Sequence, residues 1–248
     1  MLPELNDRVA LVTGGARRVG ACIARTLHAS GARVAIHYRA SGAEAAALVD
    51  ELNARRRESA IALQADILSV PSLGALVDAV LATFGRLDVL VNNASSFYPT
   101  PVGEITLAHW DDLVGTNLRA PLFLAQAAAA ALRTSHGLIV NITDIHGQRP
   151  LRHHPVYSAA KAGLIMLTQS LARELAPEVR VNAVAPGPIL FPSEGIDPEI
   201  EQEILSRTLL KRRGAPEDVA AAVLFFATRA PYVTGQMLAV DGGRSARG

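Results

Sequence analysis

Seven short apolar runs rich in β-branched residues alternate with longer stretches of helical period, and this alternation restricts the fold more than any other feature of the chain. Strands are expected near residues 9–12, 33–37, 61–64, 87–91, 138–142, 179–184 and 237–240. Helical patterns fall between them near 19–30, 43–56, 72–84, 107–132, 156–175 and 217–226. Repeated strand-then-helix order needs right-handed crossovers, and therefore a parallel sheet with helices on both faces. The expected fold class is α/β: one doubly wound domain spanning residues 1–248. Half of the residues are apolar, enough for a large core, and no linker divides the chain. Pro121 interrupts the fourth helical stretch and marks a kink or a boundary.

Charge and cysteine content exclude several classes. The net charge of +1 comes from 24 basic and 23 acidic residues spread along the chain, which is neither a nucleic-acid footprint nor an acidic tail. Cys22 is the single cysteine, so an internal disulfide and a cysteine-based zinc site are excluded. No basic-then-apolar leader and no membrane-length apolar stretch is seen, and the reading is a cytoplasmic protein acting on a small molecule.

The first strand runs into Thr13-Gly14-Gly15-Ala16-Arg17-Arg18-Val19-Gly20. Glycines at a strand-to-helix turn let the backbone approach a pyrophosphate, whose charge is favoured by free N–H groups at the helix start. Arg17 and Arg18 add guanidinium forks suited to phosphate oxygens. The second strand ends in His37-Tyr38-Arg39, without the carboxylate that would hold a ribose 2′-hydroxyl. Arg39, with His37 or Ser41, suits a 2′-phosphate, so NADPH is the expected cofactor. Asp66, after the third strand, either caps backbone or accepts from the adenine. The loop Asn92-Asn93-Ala94-Ser95-Ser96-Phe97-Tyr98 follows the fourth strand and is expected to border the nicotinamide, with Phe97 offering an aromatic face to a flat ligand.

Tyr157-Ser-Ala-Ala-Lys161 opens a helical run, and positions four apart share a helix face. At roughly 4 Å and an effective dielectric of about 20, a lysine would stabilise a phenolate by at most about 4 kcal/mol, or roughly three pK units. The expectation is a tyrosine tuned downward as a proton donor.

With Thr13-Gly14, Asn92-Asn93-Ala94, Asn117, Tyr157, Lys161 and Pro186-Gly187 in this order, the chain resembles the short-chain dehydrogenase/reductase family over nearly its whole length. The resemblance implies a single Rossmann-type domain, NAD(P)(H) and hydride transfer. It implies Tyr157 as proton donor, Lys161 as its partner and ribose ligand, and Asn117 as holder of a water in the proton path. The implied cofactor set is Gly14, Arg17, Arg18, Val19, His37, Tyr38, Arg39, Ser41, Asp66, Ile67, Asn93, Ala94, Ser95, Tyr157, Lys161, Pro186 and Gly187.

Two departures bear on substrate. Arg18 stands where the family usually has a glycine, and Asp144 where it has a serine, thirteen residues before the tyrosine. A serine hydroxyl donates to a carbonyl oxygen as charge develops, whereas an ionised aspartate only accepts and repels an alkoxide. Reducing a C=N bond instead creates a nitrogen that needs a proton, which a carboxyl group can orient or relay. Both departures, with Ser95-Ser96-Phe97-Tyr98-Pro99 and His37-Tyr38, resemble the pteridine reductase branch, although Arg39 stands one position earlier than that branch would place it. The branch implies a pterin or folate held by Arg18, Ser95, Phe97, Asp144 and Tyr157, with Phe97 and the nicotinamide on its two faces. A reductase of carbonyls such as a 3-oxoacyl thioester is the alternative.

Residues 189–210 are expected to form a lid over the substrate, with Glu194, Asp197 and Glu199 solvated or capping a short helix after Pro198. His146, His153 and His154 lack carboxylate or cysteine partners at metal-ligand spacing, and no metal is expected. The small-residue-rich stretches 118–132 and 156–175 suit subunit packing, and family resemblance implies a homotetramer.

Overall fold

The computed structural model describes residues 5–189 and 197–246. The elements run β1 (Val9–Val12), α1 (Arg18–Ala29), β2 (Arg33–Tyr38), α2 (Gly42–Arg55), β3 (Ala60–Gln64), α3 (Val70–Phe84), β4 (Val89–Asn92), α4 (Leu107–Val114), a π-helical turn (Gly115–Arg119) and α5 (Ala120–Ser135). They continue with β5 (Leu138–Ile142), a 3₁₀ turn (Ile145–Gly147), α6 (Pro155–Leu175), β6 (Arg180–Pro186), α7 (Pro198–Ser206), α8 (Pro216–Thr228) and β7 (Met237–Val240).

All four residues of β1 are buried, and their alternation shows why the run is apolar throughout. Ala10 and Val12 pack into a core with Ile23 and Leu27 of α1, Leu48 of α2 and Val223 of α8. Val9 and Leu11 face the opposite core, with Leu76 and Val80 of α3, Leu124 of α5 and Leu175 of α6. A parallel strand covered on both faces has no solvent side to mark with polar residues.

The sheet order is β3-β2-β1-β4-β5-β6-β7, with each neighbouring pair parallel. Val12 pairs with Ile36 on one side and Val91 on the other, so the order reverses between β1 and β4. Ligands of open α/β sheets sit at such a reversal, outside the carboxyl ends of the strands. The loops after β1 and β4 meet there.

One expected helix is divided. The stretch 107–132 becomes α4, the π turn and α5, with Pro121 in the first turn of α5. Pro121 has no N–H for the carbonyl of Asn117, four residues back, so the α ladder cannot run through this point. In the expected lid, residues 190–196, with Glu194, lie outside the described residues. Asp197 caps α7, its carboxylate accepting from the Glu199 N–H at 2.8 Å. Among the described residues no helix is long and apolar enough to cross a membrane.

Candidate active site

Thr13, at the end of β1, ties the two loops of the crossover point together. Its hydroxyl oxygen accepts from the N–H groups of Asn93 and Ala94 at 2.9 and 3.0 Å. In return, the Asn93 side-chain amide donates to the carbonyls of Thr13 and Gly14 at 2.9 and 3.1 Å. Gly14 has φ +59°, and a Cβ there would lie 3.1 Å from Ala94 Cα. A Cβ on Gly20 would lie 2.2 Å from the Gly14 carbonyl oxygen, so only glycine lets the helix start sit this close to the turn. No side chain caps α1 and its first turn carries no acid, which leaves its N–H end suited to a phosphate.

A cleft of about 380 Å³ opens beside this turn. Of the expected cofactor residues, Gly14, Arg17, Arg18, Val19, His37, Tyr38, Arg39, Ser41, Ile67, Asn93, Ala94 and Ser95 line it. Tight glycine backbone, an open helix start and three arginines form a donor set that fits a dinucleotide carrying a 2′-phosphate.

Asp66, Tyr157, Lys161, Pro186 and Gly187 stand outside that lining. One Asp66 carboxylate oxygen accepts from the Leu68 N–H at 3.0 Å, so of its two expected roles the backbone cap is present. Gly187, after β6, donates its N–H to Val240 O at 3.0 Å. His37 departs from expectation. It is buried, its Nδ1 accepts from the Gly14 N–H at 3.2 Å, and its Nε2 faces the Ala65 carbonyl at 3.1 Å. Those partners assign the neutral Nε2–H tautomer, and burial pushes its pKa down. With both nitrogens engaged, His37 braces the turn from within, which leaves Arg39 and Ser41 for a phosphate.

Tyr157, in the first turn of α6, donates its hydroxyl proton to Asp144 Oδ2 at 2.7 Å. The other Asp144 oxygen accepts from the His146 N–H at 2.8 Å, which caps the 3₁₀ turn after β5 and fixes the carboxylate. Lys161 is buried on the same face of α6, but its ammonium donates to Ile142 O at 3.0 Å and lies 5.6 Å from the Tyr157 ring centroid.

This geometry corrects the expected tuning. The Tyr157 pKa is pushed up by burial, then by the charge of Asp144 and the hydrogen bond to it, with a weaker downward pull from Ser95. Burial lowers Lys161 to about 8, the Asp144 charge opposing the shift. Lys161 thus fails to outweigh burial and Asp144 at the phenol, and Tyr157 remains a protonated donor.

Asn117 lies in the π turn, and its amide is spent on the loop after β4 and on the end of α4. Its Nδ2 donates to Ser96 O and Leu113 O, both at 2.9 Å, and its Oδ1 accepts from the Ser95 hydroxyl at 2.7 Å. Phe97 is 56% exposed, the ring an apolar wall would not need and a flat ligand would. It meets Tyr157 edge-on and stacks on His154, each with centroids 4.8 Å apart.

Two contributors were not legible as such in the sequence. Asp112 of α4 accepts from Ser96 and Tyr98, and no periodicity distinguishes it from the solvated Asp111 beside it. His154 offers itself in the sequence only as a metal ligand, yet its Nδ1 faces Arg152 O at 2.8 Å and its ring covers Phe97. Its position three residues before Tyr157 was the available signal.

The chain matches the family model described as enoyl-(acyl carrier protein) reductase over residues 14–245. Pteridine reductase 1 of Leishmania tarentolae is 40% identical over 279 aligned positions, covering 96% of this chain and 96% of that protein. The 3-oxoacyl-[acyl-carrier-protein] reductase FabG of Staphylococcus aureus (strain Mu50) is 38% identical over 238 positions, covering 94% and 96%. Among solved structures, a blue fluorescent protein from a metagenomic library, crystallised with NADPH, matches with a TM-score of 0.92 and 39% identity, covering 97% of this chain and 99% of that one.

Proposed function

We propose that this chain, which belongs to the short-chain dehydrogenase/reductase family, is an NADPH-dependent oxidoreductase whose substrate is a pterin. Overall identity does not separate a pterin from a 3-oxoacyl thioester, since relatives named for each stand at 40% and 38%. The observation that carries the reading is local: Asp144 stands 2.7 Å from the Tyr157 hydroxyl. A carboxylate so close to the donor opposes the oxyanion of carbonyl reduction and suits delivery of a proton to nitrogen.

When bound, NADPH supplies the hydride, which goes to C6 of a 7,8-dihydropterin or C7 of an oxidised pterin. The chain supplies the rest. Arg17, Arg18 and the α1 start hold the pyrophosphate, and Arg39 with Ser41 holds the 2′-phosphate. Phe97 takes one face of the pterin, and Ser95 and Arg18 its polar edge. Tyr157 and Asp144 hold the proton for the ring nitrogen beside the reduced carbon, so the C=N bond gains one hydride and one proton. Lys161 keeps a positive charge behind them, and the Asn117 carbonyl, which Pro121 cannot cap, suits a water through which the proton is replaced. The part-exposed Phe225 of α8, Leu238 of β7 and Met166 of α6 support the further reading of a homotetramer.

The test is NADPH oxidation with dihydrobiopterin, oxidised biopterin, dihydrofolate and a 3-oxoacyl thioester as separate acceptors. Turnover of the pterins and none of the thioester is expected, and thioester turnover alone refutes the reading. In Asp144→Ser, kcat/KM for the pterin is expected to fall about a hundredfold while the NADPH Kd stays within about twofold.

A further inference from the structure

Phe97 can hold one face of a flat substrate only if its ring is kept at a fixed angle, and the ring itself makes no hydrogen bond. Its neighbours do. Ser96 donates to Asp112 Oδ1 at 3.2 Å, and the Tyr98 hydroxyl donates to Asp112 Oδ2 at 3.0 Å. One carboxylate thus accepts from the residues on both sides of Phe97, one oxygen for each. Tyr98 is anchored again by packing against Leu113, Val156 and Tyr157, and by an edge contact with His109 at 5.8 Å. Asp112 and His109 lie three apart on α4, so one helix face meets the loop. The α4 start is in turn fixed by a capping box between Thr106 and His109.

We propose that Asp112 is a positioning residue that sets the Phe97 ring for the substrate by clamping Ser96 and Tyr98. The proposal rests on the reading of Phe97 as a substrate platform. Asp112 does not itself line the cofactor cleft, although its partner Ser96 does, and it makes no hydrogen bond to the Tyr157–Asp144 pair, so its loss should act first on substrate capture and leave the proton step in place. An asparagine keeps the clamp, because its Oδ1 accepts from Tyr98 while its Nδ2 donates to the Ser96 hydroxyl, which accepts as readily as it donates.

The experiment compares wild type, Asp112→Ala, Asp112→Asn, Phe97→Ala and the double variant Asp112→Ala/Phe97→Ala by steady-state kinetics with NADPH and dihydrobiopterin. NADPH affinity is read separately from nucleotide fluorescence. For Asp112→Ala the pterin KM is expected to rise roughly tenfold, with kcat within about threefold and the NADPH Kd within about twofold. Asp112→Asn should return KM to within about threefold of wild type, and Asp112→Ala should add less than about twofold to KM once Phe97 is gone. An unchanged KM in Asp112→Ala overturns the proposal, as does full additivity in the double variant, or a parallel loss of NADPH affinity in both Asp112 variants. Should Asp112→Ala fail to fold, Tyr98→Phe removes one anchor: a raised KM that vanishes in the Phe97→Ala background supports the clamp, and no rise overturns it. A wild type that turns over only the thioester refutes the pterin reading, and the same KM comparison with the thioester then judges Asp112.

Discussion

Arg18 has φ +53°, in the left-handed region that an arginine occupies at a cost of roughly 1 kcal/mol. Glycine, the residue usual at this position in the family the chain resembles, would carry no such penalty. Such strain persists where the side chain does something glycine cannot, and Arg18 lines the cleft between the α1 start and Ser95. Arg18→Gly is therefore expected to gain up to about 1 kcal/mol in urea unfolding while losing at least about tenfold in kcat/KM for the pterin. A variant that is both less stable and fully active would show that the conformation serves folding alone. The departure from glycine was plain in the sequence. The positive φ that gives it a stability cost was not, because a single sequence carries no record of backbone angle.

At the scale of elements, the joint between the loops after β1 and β4 rests on the Thr13 hydroxyl and the Asn93 amide. Thr13 is buried, and its oxygen serves two N–H groups of the neighbouring loop. Thr13→Val keeps the shape and removes the acceptor, leaving the Ala94 N–H unpaired and the Asn93 N–H with only the Val91 carbonyl, so about 2 kcal/mol of stability should be lost in urea unfolding. NADPH affinity should fall with it, since Gly14 and Asn93 no longer share a fixed frame; unchanged affinity would mean that Asn93 alone holds the joint. Helices such as α1 were legible because a buried face recurs with its own period, whereas the β1 run was legible only as an apolar run and showed no period because both of its faces are covered. The break in the stretch 107–132 was legible only as Pro121. Its displacement to the turn Gly115–Arg119 follows from the carbonyl four residues earlier, a consequence of three-dimensional helix geometry. The inward bonding of His37, which also lines the cleft, is hidden from the sequence for a related reason. A histidine at a strand end is polar in any pattern, and only the fold shows that both its nitrogens face inward.

Across the whole molecule, stability and chemistry sit at opposite ends of the sheet. At the amino end Asp88 is buried, accepting from Arg8 at 2.7 Å, from Arg86 at 2.6 and 2.8 Å and from the Val9 N–H at 2.9 Å. Burial alone would raise its pKa, but those hydrogen bonds outweigh it and hold the carboxyl below its usual range. Its contribution is therefore present above the unfolded carboxylate pKa, about 3.9, and lost as pH falls through the lower folded value. At the carboxyl end the pH slope has the same sign, but the charged group is a cost at neutral pH instead of a gain. Lys161 titrates near 8 in the fold, against about 10.4 in the unfolded chain. Between those values the unfolded chain binds more protons, so stability rises with pH by up to about 3 kcal/mol. Above about pH 10 the unfolded chain loses its tyrosine protons while Tyr157, whose pKa is raised, keeps its own, and that rise turns over. Urea midpoints measured across the pH range should thus climb between about pH 8 and 10 in wild type. Lys161→Met should abolish the climb and be the more stable protein at pH 7, with pterin turnover lost. Asp88→Asn should instead cost about 2 kcal/mol at neutral pH and flatten the acid limb, with the NADPH Kd within about twofold of wild type. A Lys161→Met protein that still climbs would place the alkaline group elsewhere, and an Asp88→Asn protein with weakened NADPH binding would mean that the two ends of the sheet are coupled.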